Sequence, residues 1–228
     1  MSPFVFSSLS NVSMPDSSTS PTKAQWKSQL DPLLSVSLRE AGECITQAPS
    51  VQKWLHTASF EAAEGLGQMD ATQAEAEGYW RMMEGLKQRF PELVAAVEEL
   101  TDGCASLDIH WRPLAPNFTR LYLRTTGDRD CDLVVRLPET TAPAVRTVLQ
   151  AIVRALPDGT PFPNRPHEAT GMVVYNGHCL TVRVREHRGK EGTGSRHTVV
   201  LFQGDASSDP LSMDAAIQHI QAFAQAAS

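Results

Sequence analysis

The stretch LDIHWRPLAPNFTRLYLRTTGDRDCDLVVRLPETTAPAVRTVLQAIVRAL, Leu107–Leu156, changes its hydrophobic period partway along. Leu107, Ile109 and Trp111 alternate with Asp108, His110 and Arg112, and Leu121 and Leu123 alternate with Arg120, Tyr122 and Arg124. Leu133, Val135 and Leu137 alternate with Asp132, Val134 and Arg136. Period two marks a strand with one buried face, so three strands are predicted. The link Thr126–Cys131, TGDRDC, has turn chemistry and predicts a hairpin between the second and third strands. From Val145 the period becomes helical. Val145, Val148, Leu149, Ile152, Val153 and Leu156 form one apolar stripe, with Thr141 as its cap and Pro143 in the first turn.

Downstream, residues 157–171 are a proline-rich loop. Met172–Tyr175 and His178–Glu186 flank Asn176-Gly177, a strong two-residue hairpin signal, and Thr198–Phe202 reads as a sixth strand. Ser212 caps a closing helix with Met213, Ala216, Ile217, Ile220 and Phe223 facing inward. The expected fold is α+β: a helical N-terminal region followed by an antiparallel sheet in βββα–βββα order.

Upstream, Thr22 to about Thr101 has helical spacing. Trp26 and Leu30 open a segment that Pro32 is expected to break or kink. Val51, Trp54, Leu55 and Ala58 follow Pro49, and Asp70 with Gln73 resembles a capping box. It introduces the longest helix, with Tyr79, Met83, Leu86 and Phe90 on one stripe. Trp80, Met82 and Met83 are assigned to the core. Three regions follow: a disordered Ser-rich tail over 1–22, a helical extension over 23–69, and an α+β domain over 70–228.

No apolar run reaches the roughly 18 residues that cross a bilayer. Cys44, Cys104, Cys131 and Cys179 are widely scattered, which suggests reduced thiols and synthesis in the cytosol. The net charge of −6 hides an asymmetry: residues 1–105 carry 7 basic and 14 acidic side chains, residues 106–204 carry 13 and 9. Of those 13, only Lys190 is not arginine. Arginine favours planar carboxylate and phosphate partners, so Arg120, Arg124, Arg136, Arg183, Arg185, Lys190 and Arg196 are the anion-binding candidates. If the strands pair in order, the strand arginines gather on one sheet face. Only Tyr122 interleaves with them and the whole chain is acidic, so nucleic acid is not the expected partner.

Motifs for chemistry are scarce. The acids of Gly127–Asp132 mimic a calcium loop, but the glycine required at its sixth position is replaced by Leu133. Gly189–Arg196 is glycine-rich yet lacks the order of a phosphate loop and joins two strands. His110, His178, Cys179, His187 and His197 lack the paired spacing of a zinc site, and no nucleophile elbow precedes a helix. No catalytic residue, metal or cofactor is assigned, and the reading leans toward a binding protein rather than an enzyme.

The segments FTRLYLRTTGDRDCDLVVRLP, TAPAVRTVLQAIVRALP, GMVVYNGHCLTVRVRE and LSMDAAIQHIQAFAQAA, in that order, resemble the type III secretion chaperones over roughly residues 72–228. The resemblance implies a homodimer of the bacterial cytoplasm that holds an extended segment of a secretion substrate, partly by adding a strand to a sheet edge. It places Val199 and Leu201 on the partner-binding strand and makes Val148, Leu149 and Ile152 core or dimer residues. The basic charge of the segment departs from that family. The tail, with eight serines in residues 1–22 and no lysine or arginine, is similar to the export signal of a type III secreted effector. That is the alternative: a protein secreted into a host cell and acting on a host protein there, with an anion- or nucleic-acid-binding module as a third reading.

Overall fold

Capped amphipathic segments build five helices in the first half of the chain. The structure, a computed structural model, describes residues 20–113, 119–126, 130–156, 167–187 and 196–228. α1 (Lys23–Leu34) starts at a capping box in which the Thr22 side chain accepts from the Gln25 amide and the Gln25 side chain accepts from the Thr22 amide. Pro32 lies inside its last turn rather than ending it earlier. α2 (Leu38–Gln47) is capped by Ser37, and α3 (Pro49–Glu64) has proline at its first position. Asp70 accepts from the Thr72 and Gln73 amides to start α4 (Ala71–Arg89). α5 (Pro91–Thr101) stops where Asp102 and Gly103 take positive φ.

The chain then forms β1 (Ala105–Trp111) and β2 (Thr119–Thr125), which pair antiparallel as a separate two-stranded sheet. β3 (Leu133–Arg136) leads into α6 (Ala142–Arg154). β4 (His167–Tyr175), β5 (His178–His187), β6 (Arg196–Gln203) and the two-residue β7 (Ala206–Ser207) precede α7 (Met213–Ala226). The fold is mixed α and β, helices first and sheets after. Among the described residues the strands number seven and occupy two sheets, the second ordered β3-β4-β5-β6-β7.

The expected hairpin between the second and third strands is not formed. β2 pairs with β1, and β3 lies parallel to β4, with Val135 opposite Val173. A parallel pair needs a crossover, which α6 supplies. Leu133, Val134 and Val135 are all buried, as in a strand covered on both faces. The β4–β5 hairpin turns on Asn176 (φ 48) and Gly177 (φ 75), the positive-φ pair its sequence demands.

Two apolar clusters result. The first joins α1–α5, β1 and β2, and takes Val134, Met172 and Val174 from one face of the five-stranded sheet. Its helices approach the hairpin closely. A Cβ on Gly78 would lie 1.8 Å from the Trp111 ring, and one on Gly42 only 3.1 Å from the Tyr122 Cα. The second cluster packs α6 and α7 on the opposite face, against Val173, Val182, Val184 and Val199. Among the described residues, no helix is long and apolar enough to cross a membrane.

Candidate binding face

The two faces of the five-stranded sheet are covered unequally. The β register puts Leu180, Val182 and Val184 of β5 on the side of α6 and α7, where all three are buried. On the other side stand Thr181, Arg183 and Arg185 of β5, with Thr198, Val200 and Phe202 of β6 as their partners. At the β3–β4 edge this side is covered by the first cluster, through Val134, Met172 and Val174. Toward β5 and β6, no described helix packs on it. Thr181, Arg183, Thr198, Val200 and Phe202 are partly exposed and Arg185 and Arg196 are exposed.

The charges there are organised. Glu168 of β4 lies opposite Arg185, whose Nη2 is 3.0 Å from its carboxylate, and Arg183 Nε is 4.0 Å away. The Arg183 guanidinium sits 5.0 Å from the centre of the Phe202 ring. A cation over an aromatic face is held by the ring quadrupole. One carboxylate is shared by two arginines, and Arg196 adds a third positive group at the start of β6. The face is therefore basic, with Val200 and Phe202 as its apolar centre.

The arginines named from sequence separate into three places, so they do not form one track. Arg183, Arg185 and Arg196 share this face. Arg136 is exposed at the end of β3 opposite Val174, the far end of the sheet from the Glu168–Arg185 pair. Arg120 and Arg124 belong to β2, in the other sheet. Arg124 contacts Asp108 at 3.1 Å and lies 5.3 Å from the Tyr122 ring centre. Asp108 also receives the Tyr79 hydroxyl, and burial first and the Asp108 charge second raise the Tyr79 pKa. Lys190 lies outside the described residues.

The chaperone-derived positions fall in the core. Val199 is buried against α7 and exchanges both backbone hydrogen bonds with Leu211, at 3.0 and 2.8 Å. The Ser208 amide donates to the Leu201 carbonyl, and the Ser208 hydroxyl accepts from the Leu201 amide. The chain itself thus occupies the β6 edge from Val199 to Gln203, so strand addition there is corrected. Leu201 does line a 200 Å³ hollow with Leu180, Phe223 and His219. Val148, Leu149 and Ile152 are buried under the sheet, and the Ile152 side chain fills the space where Gly171 lacks a Cβ.

Two features escaped the sequence. An open trough of 340 Å³ runs between α4 and β1, lined by Thr72, Glu75, Ala76, Tyr79, Ile109, His110 and Trp111. Trp80 beside it is 60% exposed, against the core assignment, while Met82 and Met83 are buried. The second is covalent: Cys104 and Cys179 form a disulfide, correcting the expectation of reduced thiols, while Cys44 and Cys131 take part in none. Cysteines 75 residues apart carry no local signature of pairing. No group of three or more potential metal ligands exists among the described residues. Comparison of the chain with protein-family models, curated proteins and solved structures returns no match.

Proposed function

We propose that the chain is a non-enzymatic protein-binding module that captures a partner segment on the open half of its five-stranded sheet. The observation that carries this reading is the partly exposed pair Val200 and Phe202, framed by Arg183, Arg185 and Arg196. Apolar contacts supply affinity and the surplus positive charge selects an acidic, amphipathic segment. The segment docks on side chains of the sheet face, since the β6 edge is already paired. A role in bacterial secretion, as a homodimeric escort of a secretion substrate, is the cellular setting we assign on the resemblance to the secretion chaperones.

Panning a random peptide-display library against the immobilised full chain tests the reading. Enriched peptides should combine Asp or Glu with large apolar residues. Their affinity should fall about tenfold or more in Arg183→Glu/Arg185→Glu, the loss of one or two charged contacts. No enrichment, or enrichment indifferent to that variant, contradicts it.

A further inference from the structure

The first cluster meets the five-stranded sheet at β3, β4 and β5, and the disulfide lies at that meeting. Cys104 precedes β1 and belongs to the first cluster; Cys179 is the second residue of β5. The register places Cys179 opposite Val174, on the side of the sheet that the first cluster covers. Non-covalent ties lie beside it: the Leu38 amide donates to the Asp132 carbonyl, the Cys131 thiol lies between Thr125 and Thr181, and the sheet contributes Val134, Met172 and Val174.

We infer that the Cys104–Cys179 disulfide is a redox latch that sets how much of the partner-binding sheet face is uncovered. Closed, it holds the first cluster against Val174 and Met172. Opened, it lets the first cluster lift from the sheet, and the apolar strip Val134–Met172–Val174 joins Val200 and Phe202 in one continuous face. The reaction is a thiol–disulfide exchange with a dithiol reductant. The S–S bond breaks, two electrons and two protons pass to the Cys104 and Cys179 sulfurs, and the reductant becomes a cyclic disulfide. Disulfides persist in oxidising compartments and thiols in the cytosol, so passage between them switches the latch.

A third cysteine is arranged to leave the latch alone. The Cys131 thiol hydrogen-bonds with Thr125 of β2 and Thr181 of β5, so it spans the same junction. Burial pushes its pKa up to about 11, which keeps it protonated and a poor attacking group.

The inference rests on the proposed binding face for its purpose, but its test needs no partner. Hydrogen exchange read by mass spectrometry on the full chain, with and without dithiothreitol, is paired with thiol counting in denaturant. Two alkylatable thiols before reduction and four after are expected. Exchange in residues 133–136 and 172–174 should rise about tenfold while α6 and α7 stay within about twofold, the signature of sub-global opening. Cys179→Ser should reproduce the reduced pattern without reductant. Four thiols before reduction, unchanged exchange at 172–174, or acceleration of the whole chain together would overturn the latch. Loss of peptide binding with this pattern intact would instead count against the binding face alone.

Discussion

At the residue scale, single atoms decide several outcomes. Glu99 of α5 pairs with Lys23 and Lys27 of α1, and hydrogen bonds from Lys27 and then Lys23 lower its pKa from 4.5 to about 2. A carboxyl with a depressed folded pKa contributes stability at neutral pH that disappears as pH falls from about 4.5 through about 2. Glu99→Gln should flatten the stability curve in that window, by a small amount because the pair is exposed and screened. Urea unfolding at pH 6 and pH 3 reads the difference. Gly78→Ala sets two effects against each other. Alanine favours the helix by ~1 kcal/mol, but overpacking costs ~1–3 kcal/mol. A methyl 1.8 Å from the Trp111 ring has no flexible neighbour to displace, so overpacking wins and a net loss of about 2 kcal/mol is expected. Gly67→Ala, with nothing near its added carbon, should be neutral or stabilising in the same denaturation series.

At the scale of elements, the sequence predicted what is local. Asn176-Gly177 encodes its own turn, and the stripe Val145–Leu149–Ile152 its own helix, so both were legible. The partner of a strand is not local. Asp132 and Arg136 give Leu133–Leu137 an alternating pattern, yet the informative residue is Val134, apolar on the phase expected to face solvent. It is buried because the first cluster covers that side. Trp80 was misplaced for the opposite reason. Ala74, Gly78, Met82 and Leu86 centre the core side of α4, and at about 100° per residue Trp80 lies roughly 160° round the helix from Met82, so it points away. Trp80→Ser should therefore change stability by less than ~0.5 kcal/mol, whereas Met82→Ala should cost about 3 kcal/mol. The basic face was half legible: the arginines could be named, but which ones meet depended on strand order.

At the scale of the whole molecule, two cores share one sheet, and a disulfide ties the first core to β5 across 75 residues of sequence. Closing a loop of that length restricts the unfolded chain by about 4 kcal/mol in the chain-entropy account. Cys104→Ser should lower the global unfolding free energy by up to about that amount, measured by denaturant titration under non-reducing conditions. The same architecture leaves the open half of the sheet as the surface for a partner, so the central claim concerns where a ligand lands. The most direct test is a two-dimensional amide NMR titration of the full chain with a peptide selected by display. Binding on the face predicts shift changes concentrated at Thr181, Arg183, Arg185, Thr198, Val200 and Phe202, weakened by added salt. Changes concentrated on the α4–β1 trough, or spread evenly with no dependence on Arg183 and Arg185, would contradict it.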